Sequence, residues 1–150
     1  MSKLLLISIK EKYVSKIISG KKTIELRKSQ PNVKAGDTVI IYTTQPRKAV
    51  TAIATVKQII RDSPKDMWDK QKNQLGISKV EFEEYYKSSS IAIGIELYNI
   101  IQLDAEILLS AIKLIHPSFT PPQTFKYLDK FQALRDFTAI NKNRCKKDLD

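Results

Sequence analysis

The alternation of apolar and polar positions divides the start of the chain into strand, helix and strand patterns. An apolar run at residues 4–9 predicts a central strand. A helix pattern follows and ends at Gly20, where a helix end favours a residue that tolerates a positive φ. A second strand is indicated at 23–27, where Ile24 and Leu26 alternate with polar residues. The four apolar residues at the spacing of one helix face are Tyr13, Val14, Ile17 and Ile18.

Later segments alternate in the same way between strand and helix patterns. Runs rich in β-branched residues predict strands at 38–46, 49–60 and 91–97. Ser63 and Ser78 are N-cap candidates for two helices, and Asp104 is one for a short helix through Ile112. The proline-rich segment 116–123 is expected to be a loop. A last amphipathic helix is predicted from Tyr127, Leu128, Phe131, Leu134 and Phe137.

A chain of 150 residues has the length of one ordinary domain. We expect that domain at 1–140, with the helices at about 63–87 as an insertion and 141–150 as a basic polar tail. The chain has one cysteine and one histidine, too few for a disulfide framework or a zinc site built from these residues. No metal site and no cofactor is therefore predicted. Because no apolar run is long enough for a signal peptide or a membrane span, we expect a cytoplasmic protein.

The net charge of +10 is concentrated in the first third of the chain. Residues 1–50 hold 11 Lys and Arg against 3 Asp and Glu. Binding of phosphates by basic side chains releases counterions and dominates affinity for nucleic acids, although a Lys-rich surface also serves solubility alone. The position of the excess beside the helix-to-strand corner favours a nucleic acid as partner.

Three charged residues, Lys22, Glu25 and Arg27, lie at that corner and allow three interpretations. They could bind phosphate or a base edge, with Glu25 accepting from an amine or orienting Arg27. They could hydrolyse a substrate if burial lowers the pKa of Lys22. They could also be a surface ion pair of little energetic value. Strict strand alternation places Lys22 on the face opposite to Glu25 and Arg27, so a common cleft requires a twist at Lys22.

The octet Gly20-Lys-Lys-Thr-Ile-Glu-Leu-Arg27 fits G-x-K-x-x-E-x-R, and with this motif the chain resembles the ASCH family. The order of elements, the Gly36-Asp37 turn and the segment 121–125 are similar to larger bacterial members, over residues 3 to 128. The resemblance implies an α+β fold, a small PUA-like, mostly antiparallel β-barrel with flanking helices. It also implies action on RNA, in transcription or RNA-processing regulation.

On this interpretation RNA, single-stranded or modified, lies in a basic cleft between the first helix, the motif strand and the tip after the third strand. DNA is an alternative partner, and the oligomeric state stays open. The tip offers hydroxyls, one aromatic ring and two cations, and the proline-rich loop forms the opposite wall. The candidate binding residues are Lys21, Lys22, Glu25, Arg27, Tyr42, Thr43, Thr44, Arg47, Lys48 and Gln123.

Enzymatic alternatives come from the same resemblance, with Lys22 and Glu25 as the catalytic candidates. Some small members hydrolyse acylated cytidines with the motif Lys, a Thr in place of Glu25, and a later Glu; here residues 73–76 have no acid. Other members resemble metal-dependent ribonucleases, for which Glu25 with Glu96 or Asp37 could supply oxygen ligands to a divalent metal. A third alternative is a protein-interaction module in transcription that uses the last helix.

Overall fold

The computed structural model describes residues 3–129 and Ala133. Strands and helices follow one another in mixed order, and a 3₁₀ turn at Lys72–Gln74 links the second and third helices. The elements are β1 (Leu4–Ile9), α1 (Glu11–Ser19), β2 (Ile24–Arg27), β3 (Thr38–Thr43), β4 (Ala49–Asp62), α2 (Pro64–Gln71), α3 (Lys79–Tyr86), β5 (Ala92–Leu108), α4 (Leu109–Ile115) and β6 (Phe125–Leu128).

The strands form one curled, six-stranded sheet in the order β2-β5-β4-β3-β1-β6. Only the β1–β3 pair is parallel among these strands, and the four other pairs are antiparallel. Register shifts along β4 give the sheet its bends, as expected from the irregular spacing of that strand. The predicted mostly antiparallel α+β fold is therefore confirmed, as a half-barrel with four helices in the described part of the chain.

The corner between α1 and β2 forms as the sequence pattern predicts. Val14 and Ile17 are buried under α1, and Gly20 adopts a left-handed φ of 83°. Its N–H donates to the carbonyl of Ile17, which ends the helix. Residues 21–23 then cross to the edge of the sheet, where Thr23 N–H donates to Gln74 O and Thr23 O accepts from Leu97 N–H. The corner is thus held by two distant parts of the chain.

Helices α2 and α3 lie within residues 63–87, where the sequence predicts two helices, and pack on β2 and β5. Their inner side chains share one core with the strand residues Ile24 and Leu26. Ser63 and Ser78 cap the two helices, each accepting the N–H of the residue three positions later. This packing fixes α3 beside the charged residues of the motif.

Two sequence predictions in the second half of the chain were wrong. β5 continues to Leu108, so Asp104 lies in a strand and the following helix, α4, begins only at Leu109. Tyr127 lies in a strand, β6, which pairs with β1, and not in the predicted helix. Phe131, Leu134, Phe137 and the tail 141–150 lie outside the described residues. Within residues 3–129, no helix is long and apolar enough to cross a lipid bilayer.

Candidate functional site

A cleft of about 570 Å³ opens between α1, the start of β2 and α3. Thr44, from the tip after β3, and Gln123, from the proline-rich loop, complete its walls. The other lining residues are Ser8, Ile9, Lys10, Lys12, Tyr13, Lys22, Glu25, Leu26, Arg27, Ile77, Val80, Glu81, Glu84 and Tyr85. Lys22, Glu25 and Arg27 therefore face one concave surface.

Lys22 lies before the first residue of β2, so strand alternation does not determine its direction. Its side chain is only 2% exposed. The ammonium group donates to the carbonyl of Leu75 at 2.6 Å and lies 5.3 Å from the centre of the Tyr13 ring. Burial lowers the pKa of Lys22. The charge of Glu25 opposes this shift, and the charge of Arg27 adds to it. The amine is thus easier to deprotonate than an exposed lysine.

Glu25 lies between the two cations of the motif. Its Oε1 is 4.0 Å from Lys22 Nζ, and its Oε2 is 3.9 Å from Arg27 Nη2. Oε1 also accepts the N–H of Leu26 at 3.0 Å. The side chains of Glu25 and Arg27 are 8% and 12% exposed. The presence of a buried ion pair is weak evidence for a stabilising role, because the cost of desolvating the two charges offsets much of their attraction.

Ser8 connects the motif to the proline-rich loop. Its carbonyl accepts from Arg27 Nη2 at 2.8 Å, and its hydroxyl donates to Pro122 O at 2.6 Å. Its N–H donates to Thr124 O, so the loop is fixed to the end of β1 on both sides of Gln123. The expected opposite wall is therefore anchored beside Arg27.

Helix α3 supplies a wall that the sequence analysis did not predict. Tyr13 O–H donates to Glu81 Oε2 at 2.6 Å, and Lys12 Nζ lies 3.1 Å from the same oxygen, which joins α1 to α3. Tyr85 lines the cleft, and burial raises its pKa. Lys28 Nζ stands 4.7 Å from the centre of its ring. Two aromatic rings, Tyr13 and Tyr85, therefore lie beside the charged residues.

The charge of the cleft is mixed, which corrects the prediction of a basic cleft. Four basic side chains line it against three acidic ones. The basic residues are on the α1 and β2 side, whereas Glu81 and Glu84 belong to α3. The two sides of the cleft consequently favour different groups of a ligand.

Five of the predicted binding residues do not line the cleft. Tyr42 is 3% exposed and packs with Leu6, Ile40, Val50 and Ile107, so its ring cannot stack on a base there. The Thr43 and Thr51 hydroxyls, 2.7 Å apart, hydrogen-bond to each other in the interior. Lys21, Arg47 and Lys48 are exposed outside the cleft, with Arg47 paired to Glu11 and Glu106. Of these tip residues only Thr44 lines the cleft, because the side chains before it point into the core and Arg47 and Lys48 lie outside the cleft.

The carboxylates suggested for a metal site do not converge. The strand register pairs Glu96 with Ile24, which places it on the face of the sheet opposite to Glu25. Glu96 accepts from Gln58, and Asp37 accepts the N–H groups of Lys3 and Lys34. Over residues 3–129, no group of three or more His, Cys, Asp or Glu side chains is placed to hold an ion.

Residues 73–76, where the resemblance places a catalytic acid in other members, contact the site through the backbone. Leu75 offers its carbonyl to Lys22, and Gly76 offers its carbonyl to Lys16 Nζ at 2.9 Å. No acidic side chain is present in this segment. Because Glu25 also replaces the expected Thr, the constellation for acylcytidine hydrolysis is not formed.

The residues that the sequence analysis missed are Ser8, Tyr13, Glu81 and Tyr85. Tyr13 was counted as an apolar helix position, although a tyrosine at the edge of an apolar face often directs its hydroxyl to a polar site. Glu81 lies three residues after the N-cap candidate Ser78, a position at which an acid commonly belongs to a capping box. Neither pattern indicates that α1 and α3 meet across the motif, since that contact depends on the sheet order.

Comparison with known proteins agrees with the fold. The model of the ASCH domain matches residues 7–105. An ASCH domain-containing ribonuclease of Zymomonas mobilis is 28% identical over 124 residues, which are 83% of each chain. The crystal structure of ASCH from Zymomonas mobilis has a TM-score of 0.84 and 26% identity, and the match covers 91% of this chain and 94% of that chain.

A more distant solved structure shows the same fold. Human THYN1 protein, in complex with DNA containing 5-methylcytosine, has a TM-score of 0.54 and 13% identity, with 86% of this chain and 92% of that chain covered. The fold is accordingly the ASCH and PUA-like type. With the family model matched over most of its length, the chain belongs to the ASCH domain family.

Proposed function

We propose that this protein binds single-stranded RNA in the cleft between α1, β2 and α3. The observation that carries the proposal is the convergence of Lys22, Glu25 and Arg27, all nearly buried, on one concave surface. Two cations against one anion leave a positive charge in a poorly solvated position. A partner that carries negative charge compensates it more effectively there than on an open surface.

The size and lining of the cleft support a single strand over a duplex. A volume of about 570 Å³ is in the range of pockets for small ligands, and an unpaired nucleotide fits that range. Tyr13 and Tyr85 offer aromatic rings on which an unstacked base can lie. Lys10 and Lys12, both exposed at the α1 side of the cleft, are the residues that we assign to the phosphates. The relative from Zymomonas mobilis, named a ribonuclease, supports RNA as the partner.

Cleavage of the bound RNA is the second candidate function, and the lowered pKa of Lys22 favours it. In RNA cleavage by transesterification the 2′-hydroxyl loses its proton as its oxygen forms a bond to phosphorus, and the bond from phosphorus to the 5′-oxygen breaks as that oxygen takes up a proton. A lysine of lowered pKa beside a carboxylate can serve in such proton transfer, or stabilise charge on the phosphate when protonated. Lys22 and Glu25 are the two residues in that position.

The test uses fluorescently labelled single-stranded RNA at several salt concentrations. Lys22→Ala is expected to weaken binding and to reduce the salt dependence, because a buried cation in the cleft is lost. Lys21→Ala removes the same charge from the exposed neighbouring position and serves as the matched control. Equal affinities of the wild type and Lys22→Ala would contradict the proposal.

Cleavage is measured with the same RNA, with EDTA and with Mg²⁺ or Mn²⁺ in turn. DNA of the same sequence and 2′-O-methyl RNA are the controls, since both lack the attacking hydroxyl. Turnover that is lost in Lys22→Ala and absent on both controls would support the ribonuclease. Binding without turnover under any condition would leave an RNA-binding protein.

A further inference from the structure

The strongest unexplained feature of the cleft is a pair of buried polar atoms. Glu25 Oε2 and Arg27 Nε are both buried and have no hydrogen-bond partner among the described residues; the Thr23 hydroxyl is a third such group, but Thr23 does not line the cleft. An unsatisfied buried acceptor or donor costs free energy, and folded proteins seldom keep one without a reason. An acceptor and a donor unsatisfied on neighbouring side chains of one cleft indicate a ligand that supplies both partners.

The remaining contacts of these two side chains fix their orientation. Glu25 Oε1 accepts the N–H of Leu26, and Arg27 Nη2 donates to the carbonyl of Ser8. Glu25 Oε2 and Arg27 Nη2 are 3.9 Å apart, so the free acceptor and the free donor belong to adjacent groups. The site is thus built before any ligand arrives, which limits the entropy lost on binding.

A phosphate does not match this pair. Its oxygens accept hydrogen bonds at neutral pH, so a phosphate could satisfy Arg27 Nε but would leave Glu25 Oε2 without a hydrogen-bond donor and would be repelled by it. The edge of a nucleobase carries donors and acceptors side by side and can satisfy both atoms. The acidic α3 wall, with Glu81 and Glu84, further disfavours a phosphate on this side of the cleft.

Resting on the proposed RNA binding, we infer that Glu25 and Arg27 read the edge of a base that has an amino group beside a ring nitrogen, the pattern of cytosine and adenine. The amino group donates to Glu25 Oε2, and the ring nitrogen accepts from Arg27 Nε. Uracil presents its N–H between two carbonyls, one of which would face the carboxylate. Guanine presents N1–H beside its carbonyl O6 on the Watson–Crick edge, with a second donor at N2, so that edge does not carry an amino group directly beside an accepting ring nitrogen.

The experiment compares short oligouridylates that carry one central cytosine, adenine, guanine or uracil. We expect wild-type protein to bind the cytosine or adenine oligonucleotide about tenfold more tightly than the uracil one. Glu25→Gln is expected to abolish that preference, because the amide has one accepting oxygen where the carboxylate uses two, one for Leu26 N–H and one for the base. Glu84→Gln removes the same charge from the exposed α3 wall and is expected to strengthen binding of all four by one common factor.

The sign of the Glu25→Gln effect separates base reading from phosphate binding. If Glu25 lies beside a phosphate, removing its charge strengthens binding of all four oligonucleotides equally, which would overturn the inference and leave RNA binding intact. Equal affinity of the wild type for all four would do the same. If the wild type binds none of them, the proposed function itself fails.

Arg27→Lys provides a second variant if Glu25→Gln does not fold, which thermal unfolding will reveal. It keeps the positive charge but loses Nε, so we expect the same salt dependence with the base preference removed. A base preference retained in Arg27→Lys would overturn the inference.

Discussion

A Cβ atom on Gly76 would lie 2.6 Å from the Cβ of Lys22, closer than side chains approach one another. Gly76 also has a left-handed φ of 59°. The turn before α3 therefore passes directly over the buried lysine, and Gly76 permits that approach. The carbonyl of Leu75, immediately before it, holds the ammonium group.

Gly76→Ala is expected to destabilise the protein and to displace Lys22. The left-handed backbone costs about 1–2 kcal/mol for a residue with a Cβ, and overpacking adds about 1–3 kcal/mol. Gly36→Ala is the control, because Gly36 has a φ of 93° and nothing within 4 Å of the added Cβ. Urea unfolding should show the larger loss for Gly76→Ala, which alone should weaken RNA binding. Equal losses of unfolding free energy in both variants would show that the Lys22 side chain moves away from the added Cβ without an energetic cost.

Tyr85→Ala is expected to weaken binding of single-stranded RNA by about 1–3 kcal/mol, the range for one stacked base. Tyr85→Phe should bind nearly as well as the wild type, because it keeps the ring. Tyr98→Ala removes a half-exposed tyrosine of β5 that does not line the cleft, and should leave the affinity unchanged. Fluorescence anisotropy measures all three. An unchanged affinity in Tyr85→Ala would mean that no base stacks on this ring.

Tyr42→Phe tests whether the Tyr42 hydroxyl takes part in RNA binding. Because Tyr42 is buried in a core away from the cleft, this variant should bind RNA like the wild type. Tyr42→Ala should lower the free energy of unfolding by about 3–5 kcal/mol, as for a large aromatic residue removed from a core. Reduced RNA affinity in a fully folded Tyr42→Phe would show that the hydroxyl does reach the ligand.

Asp37 should make the stability of the protein depend on acid pH. Burial alone would raise its pKa, but the N–H groups of Lys3 and Lys34, with the charges of these lysines, outweigh burial and lower the pKa below 3.8. The unfolded state therefore binds more protons in the window below pH 3.8, so this stabilisation is complete above that window and is lost as the pH falls through the lowered pKa.

Asp37→Asn should lower the free energy of unfolding by about 1–3 kcal/mol at pH 7, since one N–H group loses its acceptor. Its stability should also fall less steeply than that of the wild type below pH 3.8. Asp69→Asn, at an exposed position of α2, is the control and should follow the wild type. Parallel curves for Asp37→Asn and the wild type in acid would contradict the assignment.

Local patterns predicted those parts of the fold that local physics determines. The end of α1 at Gly20 and the caps at Ser63 and Ser78 depend on neighbouring residues only, and all three were predicted correctly. The length of β5 was not, because Asp104 is a good N-cap residue in isolation. The pairing of β5 with β4 continues to Leu108 and overrides that preference.

The motif was visible in the sequence, whereas its surroundings were not. Lys22, Glu25 and Arg27 are close together in the chain, but the carbonyl of Leu75 that holds Lys22 is 53 residues away. The carbonyl of Ser8 that holds Arg27 comes from another strand. Tyr42 was misplaced because period-two alternation shows that a strand has two faces, but not which of two cores each face covers.

The position of β2 at the end of the strand order affects how readily this part of the protein opens locally. Among the described strands, this segment of four residues pairs with β5 on one side only. Short edge segments open more readily than central ones, so its amides should take up deuterium sooner than those of β3 or β4. An oligonucleotide that connects this edge to α3 would slow the uptake, and isotope labelling would then reveal occupancy of the cleft without any change in average structure.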